Sequence, residues 1–119
     1  MKKPQSPTEA DLQDLVSKAF EDHQNGLLSD ARDRYLQLLK YFPEVPVLHY
    51  NLGLIYYEHA DYQQAKEYFT LAAGYSPQDP DIFFNLALSL KKLGDLKGAI
   101  DIFTEVVAGD PQGVDTLYN

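Results

Sequence analysis

Three asparagines recur at 34-residue intervals, at Asn51, Asn85 and Asn119. A side-chain amide can both donate and accept hydrogen bonds, as a peptide backbone does. Asparagines stacked at a fixed spacing would therefore suit an extended peptide that is bound with little preference for its sequence. The alternative is that each asparagine supports local packing, and the sequence alone leaves that alternative open.

The other residue types that carry out chemistry show no catalytic pattern. The histidines His23, His49 and His59 include no pair four residues apart that could bind a metal on one helix. Cysteine is absent, which excludes thiol nucleophiles and Cys-ligated zinc. The glycines form neither G-x-G-x-x-G nor a phosphate-binding loop. We therefore predict that the chain is not an enzyme and uses no metal or cofactor.

Composition and charge narrow the classes of partner. The chain has 119 residues, which is room for one domain, and eighteen Asp and Glu against ten Lys and Arg give a net charge of −8. Because such a surface repels phosphate groups, we predict no nucleic acid and no membrane as partners. The sequence contains neither a secretory signal nor a run of about 18 apolar residues. We therefore expect a cytoplasmic protein.

The asparagine spacing belongs to a repeat that covers most of the chain. A shift of 34 residues brings ten identical pairs into register between 46–79 and 80–113. A weaker copy precedes them, and the last six residues parallel the start of each copy. We predict an N-terminal tail at 1–7, repeats at 8–45, 46–79 and 80–113, and a truncated fourth repeat at 114–119.

Each copy predicts two helices. Apolar residues recur at three- and four-residue steps, as at Leu48, Leu52 and Ile55. Strand signals are lacking, so we expect an all-α fold. Side chains that cap helix N-termini are predicted at Ser6, at Asp61 as a capping box with Gln64, at Asp79 and at Asp95.

Left-handed residues are predicted between the two helices of each copy. Gly26 and Gly94 suit this conformation because glycine has no Cβ. The second copy carries Ala60 at the same position, where we expect strain.

The pattern resembles the tetratricopeptide repeat, whose signature is W-x2-L-G-x2-Y, then A-x3-F, then P. The second copy matches this signature with Leu52, Gly53, Tyr56, Ala65, Phe69 and Pro77. His49 occupies the aromatic packing position, whereas Lys18 and Asp22 depart from the pattern in the first copy. The resemblance implies a right-handed α-solenoid of three helix-turn-helix repeats plus the start of a fourth.

The resemblance further implies that the first helix of each pair lines a concave groove. We predict peptide-binding residues there, and expect their apolar side chains to be exposed: Val16, Phe20, Tyr50, Asn51, Leu54, Phe84, Asn85 and Leu88. The asparagines are similar to the asparagine ladder of O-linked N-acetylglucosamine transferases. The carboxylate clamp of chaperone adaptors, which binds acidic tails, is matched only at Asn51. The chain is therefore interpreted as a non-catalytic protein–protein interaction module.

The C-terminal end leaves apolar residues to be covered. The last full helix carries Ile100, Phe103, Val106 and Val107, and few residues follow it. We expect that the chain is a fragment of a longer protein and that it can self-associate through this uncapped end. Two alternatives stay open, namely the N-terminal substrate-recognition region of a larger enzyme (a glycosyltransferase or methyltransferase) and a self-assembly scaffold.

Overall fold

The computed structural model describes residues 7–109, which form six α-helices. These are α1 (Glu9–Gln24), α2 (Leu28–Leu39), α3 (Pro46–Glu58), α4 (Tyr62–Tyr75), α5 (Pro80–Lys92) and α6 (Leu96–Gly109). Residues 7–109 contain no β-strand, and the predicted all-α helical repeat fold is confirmed. The predicted fourth repeat, Asn119 and most of the predicted tail lie outside the described residues.

The chain divides into two compact units between Glu44 and Val45. The first unit contains α1 packed on α2, and the second contains α3 to α6. Within the second unit each helix packs on the next in the chain, and α3 also contacts α5. This order is expected for helix pairs that bury their apolar faces against neighbouring pairs.

Aspartates cap the starts of three helices, as predicted, although at Asp61 the structure shows one half of the predicted capping box, the bond from the Gln64 N–H. The carboxylates of Asp61, Asp79 and Asp95 each accept a hydrogen bond from a backbone N–H in the first turn, at 3.2, 3.0 and 2.9 Å. These N–H groups have no acceptor within the helix itself, so the caps stabilise α4, α5 and α6.

The prediction of Ser6 as the cap of α1 is wrong. The N-cap is Thr8, whose hydroxyl accepts a hydrogen bond from the Asp11 N–H at 3.1 Å. The Asp11 carboxylate accepts in return from the Thr8 N–H at 3.0 Å, and hydrogen bonding to Thr8 lowers the pKa of the Asp11 carboxyl. Ser6 and Glu9 have the same three-residue spacing in the sequence, but the reciprocal box in the structure is formed by Thr8 and Asp11.

A residue with positive φ lies two positions after the end of the first helix of each pair. The φ angles are +78° at Gly26, +60° at Ala60 and +88° at Gly94. An alanine in this conformation has its Cβ close to the following carbonyl oxygen, at a cost of about 1–2 kcal/mol relative to glycine. The predicted strain at Ala60 thus has a structural basis.

Replacing Ala60 tests this strain directly. We expect Ala60→Gly to raise the free energy of unfolding by about 1 kcal/mol in urea denaturation. Gly94→Ala is the matched control, because an added Cβ there would meet nothing within 4 Å. It should lower the stability by a similar amount, through φ alone. A loss of stability in Ala60→Gly would show that the α3–α4 turn is unstrained.

The core of the second unit is built around Phe69 on α4. Its ring is fully buried, in a cluster that also contains Ala65, Leu86, Ala87, Leu90 and Ala99. On α3 the ring faces Gly53, where an added Cβ would lie 2.5 Å from Phe69 Cε1. The two helices therefore approach more closely than an alanine at position 53 would allow.

We expect Gly53→Ala to lower the free energy of unfolding by about 1–3 kcal/mol, because the new methyl group overpacks against Phe69. Gly74→Ala on α4 is the control, since an added Cβ there meets nothing within 4 Å. It should leave stability unchanged or raise it by up to ~1 kcal/mol through helix propensity. Thermal unfolding of both variants gives the comparison, and equal losses would contradict the close approach at Gly53.

The first unit carries ion pairs at the positions that depart from the repeat signature. Lys18 and Asp22 lie where the second copy has a leucine and a tyrosine. The Lys18 ammonium is 3.1 Å from the Asp14 carboxylate, and Arg34 Nε is 2.8 Å from the Asp22 carboxylate. At these two positions of α1, ion pairs therefore take the place of the apolar contacts that the repeat signature predicts.

Candidate protein-interaction surface

Two predicted peptide-binding residues lie in the first unit. Val16 and Phe20 are four residues apart on α1 and so share one helix face. Their side chains are 39% and 51% exposed. The first unit therefore presents a small apolar patch to solvent.

The other six predicted residues lie on α3 and α5 of the second unit. We call this surface the α3/α5 face, and it also includes Val47 and Asp81, which occupy equivalent repeat positions. Its members are Val47, Tyr50, Asn51 and Leu54 on α3 and Asp81, Phe84, Asn85 and Leu88 on α5.

The apolar residues of the α3/α5 face are less exposed than the sequence predicts. Tyr50, Leu54 and Leu88 are half-buried, since Tyr50 and Leu54 also pack against the cluster around Phe69. The Tyr50 ring centre is 5.8 Å from that of Phe69. Tyr50 and Leu54 therefore pack in the core and also form part of the α3/α5 face.

Phe84 and Val47 offer the most apolar surface on the α3/α5 face. Phe84 is 38% exposed and Val47 is 51% exposed. The Phe84 ring meets the Phe103 ring edge-on, with 5.7 Å between ring centres. One side of Phe84 is therefore held by α6 while the remainder faces solvent.

Asn85 links the two helices of the face. Its Nδ2 donates to the Tyr50 hydroxyl and to the Asp81 carbonyl oxygen, both at 2.9 Å. The repeat pattern does not predict this bond, although Tyr50 and Asn85 lie one repeat plus one residue apart. Two donated hydrogen bonds support a local packing role for Asn85, whose amide oxygen is then the group suited to a partner's backbone N–H.

The Tyr50 hydroxyl lies in an electrostatic environment that disfavours its ionisation. Burial is the main cause that raises the pKa of Tyr50, followed by the negative charges of Asp81 and Asp79. The hydrogen bond from Asn85 acts in the opposite direction. Tyr50 thus stays a neutral hydroxyl that can both accept and donate.

A double-mutant cycle tests the Asn85–Tyr50 bond. Asn85→Ala should lower the free energy of unfolding by about 1 kcal/mol, because it removes a part-buried hydrogen bond. Tyr50→Phe removes the acceptor. In urea denaturation we expect the two changes to be non-additive by about 0.5–1 kcal/mol. Strictly additive losses would mean that the bond contributes nothing to stability.

An aromatic stack lies between α3 and α4. His49 is buried and stacks on Tyr68 and Tyr75, with ring centres 6.1 and 5.5 Å apart, and Tyr68 stacks on Tyr56 at 5.5 Å. The interpretation of His49 as a packing residue is confirmed. Burial raises the pKa of Tyr68, with smaller contributions from Tyr56 and Glu67.

No three or more His, Cys, Asp or Glu side chains within residues 7–109 are grouped so as to hold a metal ion. In the same range, none of the helices has the length and apolar run that crossing a bilayer requires.

Helix α6 exposes a further apolar edge. Leu96 and Ile100 are 58% and 62% exposed, while Phe103, Val106 and Val107 are half-buried. The predicted exposure is therefore present at Ile100, and self-association through this edge stays a prediction.

Comparison with known proteins gives one family and a group of similar folds. The family model described as "Tetratricopeptide repeat" matches residues 24–69 and 50–114. A search of curated proteins finds no match. One similar solved structure is the first TPR of Spaghetti (RPAP3) bound to the HSP90 peptide SRMEEVD. Its sequence is 19% identical to this chain and its TM-score is 0.79, and the match covers 87% of this chain and 82% of that chain.

Two further solved structures are similar in fold. PcrH, in complex with the chaperone binding region of PopB, is 24% identical with a TM-score of 0.81, over 89% of this chain and 86% of that chain. The Sgt2 TPR domain from Aspergillus fumigatus is 25% identical with a TM-score of 0.78, over 93% of this chain and 74% of that chain.

Proposed function

Because the chain belongs to the tetratricopeptide repeat family, we propose that it is a non-catalytic module that binds a segment of another protein on the α3/α5 face. The observation that carries this proposal is the exposure of Phe84 and Val47 on one face of two adjacent helices. Exposed apolar groups clustered with polar ones are typical of partner-binding surfaces. Val16 and Phe20 form a separate apolar patch on the first unit, which we propose as a binding surface in its own right.

The affinity would come mainly from apolar burial. Fully burying a large apolar side chain contributes about 1.5–3 kcal/mol, and a 38% exposed Phe84 offers part of that. The Asn51 amide would donate to and accept from the backbone of the bound segment, and the Asn85 amide oxygen would accept from a backbone N–H. The Tyr50–Asn85 bond orders the Asn85 side chain before binding, which reduces the entropy lost when the partner docks.

The similar structures support this proposal by analogy. The RPAP3 domain holds an HSP90 peptide and PcrH holds a region of PopB, so the fold accommodates protein segments in those proteins. The partner of the present chain must be recognised by its own residues, because function depends on the site and not on the fold.

Selection of 12-residue peptides by phage display against the wild-type chain supplies a probe for the α3/α5 face. The affinity of the leading peptide is then measured by calorimetry for Phe84→Ala and for Leu71→Ala. Leu71 is the matched control because it is a comparably exposed apolar residue on α4. We expect Phe84→Ala to weaken binding about tenfold or more, as for a residue central to an interface, and Leu71→Ala to have no effect.

Because Phe84 also contacts Phe103, thermal unfolding of both variants is measured alongside binding. Equal losses of affinity in the two variants would place the binding surface elsewhere. Failure to select any peptide that depends on Phe84 would contradict the proposed function.

A further inference from the structure

We propose that the α3/α5 face selects partner segments in which a lysine or arginine adjoins apolar residues, with the cation of that residue placed at Asp81. This inference rests on the proposed function and names the chemistry of the partner. It is argued from the position of Asp81, from the charges around the face and from the aromatic residues beside it.

Asp81 lies at the edge of the exposed apolar surface. It is exposed and precedes Phe84 by three residues on α5, so the two side chains are neighbours on one face of the helix. Its backbone carbonyl oxygen accepts the hydrogen bond from Asn85 Nδ2. On α3 the equivalent position is Val47, which adds apolar surface to this end of the face.

The negative charge at this end extends over the middle of the face. Burial is the main cause that raises the pKa of Tyr50, and the charges of Asp81 and Asp79 add to it, while the Tyr50 hydroxyl accepts the hydrogen bond from Asn85. The Asp79 carboxylate is used to cap α5, since it accepts from the Asp81 N–H at 3.0 Å. The Asp81 carboxylate is the exposed member of the pair and the one suited to a partner's cation.

The opposite end of α5 carries the positive charges. Lys91 and Lys92 lie about three helical turns, or ~15 Å, from Asp81 along the helix. The Lys92 ammonium lies 5.8 Å from the centre of the Tyr62 ring. Helix α5 therefore runs from acidic to basic, while Glu58 of α3 lies at the repeat position of Lys92. A basic residue of a partner would be attracted to the Asp81 end.

A lysine or arginine fits this end better than a purely apolar side chain. Its aliphatic stem can lie on Phe84 while its charged group reaches Asp81, as long basic side chains do at apolar surfaces. The exposed face of an aromatic ring also attracts cations. A glutamate or aspartate at the same place would be repelled by Asp81 and by the net charge of −8.

The test is a double-mutant cycle, in which one residue is changed in the protein, one is changed in the selected peptide, and the binding affinity is measured for each combination. Twelve-residue peptides selected on the wild-type chain, and dependent on Phe84, should be enriched in lysine or arginine. The basic residue of the leading peptide is changed to glutamine, and both peptides are measured against wild type, Asp81→Asn and the control Asp101→Asn. Asp101 is an exposed aspartate on α6, so both variants change the net charge equally.

We expect the change to glutamine to weaken binding to wild type about threefold to fivefold at low salt, which is the size of a single exposed charge pair. The loss should disappear in Asp81→Asn and persist in Asp101→Asn. If the change to glutamine weakened binding equally in Asp81→Asn and Asp101→Asn, the effect would come from net charge, and the inference would be overturned. Peptides that depend on Phe84 but show no coupling to Asp81 would overturn this inference alone, whereas absence of any Phe84-dependent peptide would overturn the proposed function as well.

Discussion

The second unit depends on one close contact, in which the Phe69 ring of α4 lies against Gly53 of α3. The absence of a Cβ at Gly53 sets how near the two helices can come, because a methyl group there would overlap the ring. Phe69 also contacts Tyr50, and Tyr50 accepts the hydrogen bond from Asn85 on α5. The arrangement of the α3/α5 face therefore depends on the position of the Phe69 ring against Gly53.

Features that depend on local residue types could be predicted from the sequence. The 34-residue period predicted the succession of helices, and short polar side chains before each apolar run predicted the caps at Asp61, Asp79 and Asp95. The left-handed turn at Ala60 followed from its alignment with two glycines. The predicted cap at Ser6 was wrong because the sequence offers the same spacing twice, at Ser6 and Glu9 and at Thr8 and Asp11, and local residue types do not choose between them.

Features that depend on contacts between repeats could not be predicted in this way. The period places Tyr50 and Asn85 on equivalent helices, but their bond requires the actual distance between α3 and α5. For the same reason the sequence indicated an exposed Tyr50, whereas packing against Phe69 leaves this side chain only partly exposed. One residue can line a surface and fill a core, and periodicity does not separate the two roles.

The ion pairs of the first unit restrict how the copies could be rearranged. A repeat protein suggests interchangeable parts, yet Lys18 and Asp22 carry charge where the second copy carries a leucine and a tyrosine. The Asp22 side chain is only 18% exposed beside Arg34, so a change that removes the Arg34 guanidinium alone would leave a partly buried charge without its partner. Residues at these positions therefore cannot be exchanged singly between copies, because each has its partner within its own helix pair.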